Sequence, residues 1–229
     1  MEIKDKTQKF VPTISSKLKG RIIQVPEATY RASGISIMGR RIKSLLFSTD
    51  VAIITNTNAQ GIIAVYPFTP QLSIIKPILE VSPVPVFAGV GGGVTSGIRS
   101  LNIAIQAELL GAYGVVVNTP TTPENIALLA ENLDIPVIAT IVSPENNYRE
   151  KVEAGARILN VSGGKNTAEL VRKIRLDLGP EFPIIATGGN TDENVTATIA
   201  AGANCISYTP PSTAEIFEEI MKKYREGLK

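Results

Sequence analysis

The chain is expected to fold as one α/β domain, a (β/α)8 barrel, with an open doubly wound sheet as the structural alternative. Three observations lead there. Five strand-like segments, Gly114–Asn118, Pro136–Thr140, Arg157–Val161, Pro183–Thr187 and Cys205–Thr209, start 22, 21, 26 and 22 residues apart. That spacing holds one strand, one helix and two short loops. Helix start and stop signals fill the intervals. The length of 229 residues, 44% hydrophobic and 5% aromatic, suits a single barrel whose strands are buried on both faces by Ile, Val, Leu and Ala.

The later helices have readable ends. Thr121 precedes Glu124, Asn166 precedes Glu169 and Ser212 precedes Glu215, each by three residues, as in capping boxes. Ser143-Pro144-Glu145 offers a proline for a first helical position. Asp192 and Glu193 place carboxylates at a positive helix end. Gly111, Gly155, Gly179 and Gly202 each stand just before a strand, where a left-handed cap fits.

The N-terminal half follows the same code less regularly. Val86–Val90 runs into Gly91-Gly92-Gly93 and a long apolar helix over Ser96–Leu110. Gly61–Pro67 precedes a helix over Gln71–Glu80. Arg21–Val25 reads as the first strand, followed by a helix over Gly39–Phe47. Segment 51–55 starts too soon before Gly61 to be a separate parallel strand with its own helix. It reads as a helix continuation or an extra strand. Counting from the C-terminus makes Cys205–Thr209 the eighth strand and Ile62–Tyr66 the second. Residues 1–19 are expected to form a tail and 20–229 the barrel.

Composition excludes several classes. A net charge of +2 with no dense Lys/Arg cluster argues against nucleic acid as the partner. The lysines at 4, 6, 9, 17 and 19 are diluted by Glu2 and Asp5. No stretch approaches the roughly 18 consecutive apolar residues of a membrane span, and the N-terminus lacks a signal-peptide core. Cys205 is the single cysteine, which rules out an intrachain disulfide; an inert core thiol in a reducing cytoplasm is expected. There is no histidine, so imidazole acid–base catalysis and His-ligated zinc are excluded. Chemistry must come from carboxylates, Lys, Tyr, Asn, Ser/Thr or an oxygen-ligated metal.

In such a barrel the site lies on the loops that follow the strands. The seventh strand ends in Gly188-Gly189 and the sixth in Ser162-Gly163-Gly164-Lys165. The eighth runs through Pro210-Pro211 to Ser212 and Thr213. Glycine turns beside helix N-termini can hold an anion. Gly163, Gly164, Gly188, Gly189, Ser212 and Thr213 are therefore the phosphate-binding candidates, with Gly91–Gly93 a further glycine turn. Glu27, after the first strand and outside any cap, and Lys165 are the acid–base candidates. Tyr66, Asn118, Thr140, Asn160 and Tyr208 end strands as pocket lining. The apolar helix over residues 101–112 suggests a homo-oligomer.

The layout over about residues 20–225, with Thr187-Gly188-Gly189 after the seventh strand, resembles the phosphate-binding TIM barrels. These include the ribulose-phosphate-binding barrels, sugar-phosphate epimerases and keto-deoxy-phosphogluconate-type aldolases. The chain also looks like a group of uncharacterised bacterial barrels loosely labelled hydrolases. The resemblance implies phosphate held by Gly188, Gly189 and the loop after the eighth strand. It departs from the pattern at Pro210 and Pro211, which have no N–H to give. The implied function is an isomerase, epimerase or aldolase-type lyase acting on a small phosphorylated, anionic metabolite. A hydrolase using carboxylate-activated water and a non-catalytic anion-binding barrel are the alternatives. No metal or other cofactor is predicted; Mg2+ or FMN would accompany the alternative chemistries.

Overall fold

The computed structural model describes residues 22–227, together with 12, 14 and 16. Most of the expected tail over residues 1–19 lies outside the described residues. Eight parallel strands close into a barrel: β3 (Ser44–Phe47), β4 (Ile62–Ala64), β5 (Val86–Gly91), β6 (Gly114–Val117), β7 (Val137–Ile141), β8 (Ile158–Val161), β9 (Ile184–Thr187) and β10 (Cys205–Tyr208). β10 pairs with both β9 and β3. Helices alternate with them: α1 (Val51–Ile54), α2 (Leu72–Val81), α3 (Gly97–Leu109), α4 (Pro123–Asn132), α5 (Tyr148–Glu153), α6 (Thr167–Leu178), α7 (Asp192–Ala200) and α8 (Thr213–Arg225). This is the single-domain (β/α)8 barrel read from the strand spacing.

The first strand is elsewhere than expected. Residues 22–25 contribute only an isolated bridge, Ile23 to Thr57. The opening barrel strand is β3, inside the segment read as a helix. Ahead of it, β1 (Ile35–Ile37) and β2 (Arg40–Ile42) form an antiparallel hairpin. Its two-residue turn, Met38-Gly39, has positive φ at both positions, 46° and 76°, the backbone that suits a tight hairpin. The run Ile35-Ser36-Ile37, then Arg40-Arg41-Ile42, is a period-two pattern around a turn. Segment 51–55 resolves as a helix: Asp50 caps α1, accepting from the N–H groups of Ala52 and Ile53 at 2.9 and 3.3 Å.

Three helix starts also differ from their sequence signals. At α6 the Asn166 side chain makes no capping bond. α4 is capped by Thr122, whose hydroxyl accepts from Asn125 N, leaving the Thr121 hydroxyl buried without a partner. α5 begins after the Ser143-Pro144-Glu145 turn, with Asn147 as its cap. The Ser212/Glu215 capping box is present on α8. Gly111, Gly155, Gly179 and Gly202 all have positive φ, as their places before strands require. α3 buries Ser100, Leu101, Ala104 and Ala107 and leaves Ile98 and Leu109 exposed.

Inside the barrel, one inward residue per strand builds an apolar layer: Leu45, Ile63, Phe87, Val116, Ile138, Ile158, Ile185 and Cys205. The hairpin residues Ile35, Ile37 and Ile42 close it from the N-terminal end of the strands. Burial pushes the Cys205 thiol pKa far up, so it is an inert core thiol. The outward residues Val115, Val117, Ala139, Leu159, Val161, Ile184, Ala186 and Ile206 pack under the helices.

One side chain fastens the closed end. Arg175 of α6 donates to Gly202 O from Nε and Nη2, to Gly179 O and Phe182 O from Nη1, and to Asn204 Oδ1 from Nη2, at 2.7–3.1 Å. Asn204 Oδ1 also accepts from Ile184 N. The guanidinium thus ties the turns entering β9 and β10. Lysine keeps the charge but has no planar fork of five donors. Arg175→Lys is expected to lower stability by about 2 kcal/mol or more, since several half-buried carbonyls lose partners. Urea unfolding checks this; a loss below about 0.5 kcal/mol would contradict the staple.

Candidate active site at the barrel mouth

A two-residue step generates the site. Successive side chains on a strand face opposite sides, so each inward residue is followed inward by the residue two places on. Above Val116, Ile138, Ile158, Ile185 and Cys205 stand Asn118, Thr140, Asn160, Thr187 and Ser207. Above Leu45, Ile63 and Phe87 stand Phe47, Val65 and Gly89. The first five share a cavity of about 210 Å3 with Phe47 and Val65 at the C-terminal mouth, rimmed by Ser162 and Thr209. A second cavity, about 450 Å3, adjoins it between the loops after β4 and β5. Val65 and Asn118 line both.

The mouth is polar but uncharged. Among the described residues, no ionisable side chain lines the smaller cavity, and Tyr66 alone does so in the larger. Thr140, Asn160 and Ser207 are buried at 9%, 7% and 3% exposure. Asn160 Nδ2 donates to Thr140 Oγ1 at a long 3.4 Å, and Asn160 Oδ1 has no partner at all. A buried unpaired amide oxygen carries a desolvation cost of about 1–3 kcal/mol. Asn160 lines the smaller cavity as a residue, while its Oδ1 itself is fully buried. The Tyr66 hydroxyl accepts from Gln71 N at 2.6 Å, while its own proton has only Gln71 O, at 3.5 Å.

Asn118, Thr140, Asn160 and Tyr66 therefore sit where the sequence placed pocket-lining residues. Tyr208 does not. It faces outward from β10 and packs in the cluster that includes Leu46 and Ile216, because it is out of phase with Ser207. Thr187, Ser207, Ser162 and Thr209 went unnoticed as lining. Counting by two from the apolar strand residues would have found them.

Glu27 does not follow a barrel strand. It opens a five-residue 3-10 helix, Glu27–Arg31, packed against α7, where Ala28 N donates to Asp192 Oδ1 at 3.1 Å. Lys165 is exposed on the 3-10 turn Gly164–Asn166 after β8. Neither lines the two mouth cavities.

The glycine turns divide. A Cβ on Gly188 would stand 2.8 Å from Ile206 Cγ2 and 3.0 Å from Val195 Cγ2, so packing alone requires glycine there. Gly189 and Gly164 have φ of +74° and +59°, with open space beside Gly164; a Cβ on Gly163 would make only ordinary contacts. The Ser212 hydroxyl and N–H both donate to Glu215 Oε2 at 2.7 Å. The Thr213 hydroxyl donates to Asp50 Oδ2. That bond is the main cause holding the Asp50 carboxyl below its ordinary pKa, with the Ile53 and Ala52 amides adding to it against desolvation. The side-chain donors at this end of α8 thus already serve two carboxylates.

One buried cation lies behind the rim. Lys151 of α5 is 6% exposed, and its Nζ donates to Thr119 O at 2.7 Å. The Thr119 hydroxyl donates to Thr140 O at 3.2 Å. Lys151 thereby fixes the loop that carries Asn118. Its signal was its place, three residues after Tyr148, on the inward stripe of a short helix.

Among the described residues, no three acidic, His or Cys side chains converge as a metal site, and no helix is long and apolar enough to cross a membrane.

No family model matches the chain. A 4-hydroxy-tetrahydrodipicolinate synthase of Acidiphilium cryptum (strain JF-5) is 29% identical over 156 residues, 63% of this chain and 53% of that protein. The chain thus spans about half the length of this curated relative. Similar folds occur in phosphonopyruvate hydrolase (TM-score 0.64, 15% identity, 89% of this chain and 88% of that one) and in mandelate oxidase (0.60, 16%, 78% and 68%). A third is the 4-hydroxy-tetrahydrodipicolinate synthase of Methylacidiphilum fumariolicum SolV (0.58, 15%, 80% and 73%). At these identities the structures establish the TIM-barrel fold. They do not single out its phosphate-binding branch. The relatives and neighbours are enzymes of three classes: lyase, hydrolase and oxidase.

Two outcomes are expected. Asn160→Leu, matched in branching and with the adjoining cavity to take its larger volume, should leave stability equal to wild type or about 1–2 kcal/mol higher, because it removes an unpaired buried acceptor. A clear loss in chemical denaturation would make Asn160 a structural residue instead. Lys151 has its pKa lowered below the ordinary 10.5 by burial. The unfolded chain therefore binds the extra proton between the folded pKa and 10.5, and stability should rise with pH through that window. Unfolding free energies of wild type and Lys151→Met at pH 7 to 10.5 check the sign: wild type should gain on the variant as pH rises.

Proposed function

We propose that this protein is an enzyme acting on a small acid that carries a hydroxyl or carbonyl oxygen beside its carboxylate, by lyase or hydrolase chemistry at the barrel mouth. The observation that carries the reading is the arc of Asn118, Thr140, Asn160, Thr187 and Ser207 lining one cavity. Thr140, Thr187 and Ser207 supply O–H donors for carboxylate oxygens, and hydrogen bonds to an ionised acceptor are stronger than neutral ones. Asn160 Oδ1 accepts from the ligand's hydroxyl or from its hydrated carbonyl. Tyr66, the one ionisable side chain lining either cavity among the described residues, is our candidate for the proton transfer, from the larger cavity beside the acid site. The lyase relative and the hydrolase neighbour, both named for small acids, agree with this choice.

Two expected features are not part of it. The phosphate reading is set aside because the Ser212 and Thr213 hydroxyls serve Glu215 and Asp50. A Lys165 Schiff base is set aside because that amine is exposed and lines neither cavity.

Thermal shift tests the reading. Pyruvate, glyoxylate and lactate at about 100 times their dissociation constants would add about 2.7 kcal/mol. That is a rise of about 5 °C or more for a chain of this size. The Asn160→Leu variant should lose the shift. A response to sugar phosphates alone would contradict the assignment and return the ligand to the glycine turns.

A further inference from the structure

The inward residues at the mouth are divided by polarity. Five neighbouring strands, β6–β10, contribute Asn118, Thr140, Asn160, Thr187 and Ser207. The remaining three, β3–β5, contribute Phe47, Val65 and Gly89. The larger cavity opens from that apolar arc. Its walls are the loop Tyr66–Pro70 on one side and the glycine loop running to Val94 on the other. At about 450 Å3 it lies within the size range of small-molecule sites.

One wall is glycine backbone: Gly89, Gly91, Gly92 and Gly93 line the cavity. A Cβ on Gly92 would come within 2.6 Å of Asn118 Cβ. Opposite it, Phe68 is 74% exposed, and Val94 on the facing loop is 87% exposed. An aromatic ring and a backbone face together favour a flat, apolar group.

Resting on the proposed acid site, we propose that the larger cavity is a second subsite. It takes a planar apolar substituent of the substrate, such as an aryl ring, while the acid head lies on the β6–β10 arc. The substrate class becomes a 2-oxo or 2-hydroxy acid with an aromatic or similarly flat side group. Asn118, common to both cavities, marks the junction between head and body.

Isothermal titration with three probes tests this: pyruvate, phenylpyruvate and benzyl alcohol, each against wild type and Phe68→Ala. Phe68 is exposed, so the variant is expected to fold; its far-UV spectrum and melting curve confirm this. In wild type, phenylpyruvate should bind at least about tenfold tighter than pyruvate, from the apolar area of its ring. Phe68→Ala should erase most of that advantage and leave pyruvate within about twofold. Equal affinities for the two acids in wild type would overturn the subsite and leave the acid site standing. Phe68-dependent binding of benzyl alcohol, with neither acid bound, would keep the subsite and overturn the acid site. Binding of no probe would overturn both.

Discussion

The site depends on the two-residue period of strands in a closed barrel. Closure fixes which face of every strand looks inward, so one apolar inward residue determines where the next points. Ile158 at the barrel centre places Asn160 at the mouth; Ile138 does the same for Thr140, and Cys205 for Ser207. A one-residue slip would move these polar groups under the helices and bring Val161, Ile141 and Tyr208 into the cavity. The apolar layer that stabilises the barrel and the polar layer that forms the site are thus one geometric fact. The Arg175 staple and the β1–β2 hairpin secure the opposite end, away from the loops that form the cavities.

That dependence explains what could be read in advance. The C-terminal five units were legible because each carries a buried apolar strand and short loops, and α5, α6 and α7 are each followed by a glycine of positive φ, Gly155, Gly179 and Gly202. The fold followed from them. The opening was misread because β1, β2 and β3 are short and crowded into residues 35–47, with a hairpin turn at Met38-Gly39 in place of the usual βα rhythm. The site was half legible. Asn118, Thr140 and Asn160 stand out as polar residues ending apolar strands. Ser207 is hidden between Ile206 and Tyr208, and only the phase set by Cys205 shows that the serine, not the tyrosine, faces the mouth. Lys151 was hidden for another reason: a lysine in a six-residue helix looks solvated until Thr119 O is seen to receive it. Glycine turns are ambiguous in the sequence. Gly188 is required by its contacts with Ile206 and Val195, which sequence cannot distinguish from anion binding.

The chemistry of the mouth is set by what the chain puts there. With no histidine in the sequence and no carboxylate or amine lining the two cavities among the described residues, the proposed function rests on hydroxyl and amide geometry. Such groups act through position. Asn160 is held in place by burial with one long hydrogen bond, and Asn118 by the close approach of Gly92 and by the Lys151-anchored loop. The polar residues fill one continuous arc and the apolar residues the other, so a bound molecule has a defined direction across the mouth.

A crystal structure of the protein soaked with a 2-oxo acid tests the central claim most directly. The account predicts density in the cavity above the apolar layer, with a ligand oxygen within hydrogen-bonding distance, about 2.7–3.2 Å, of Asn160 and of the Thr140 or Ser207 hydroxyl. Density at the Gly189 turn or beside Ser212, with the mouth holding only water, would contradict it.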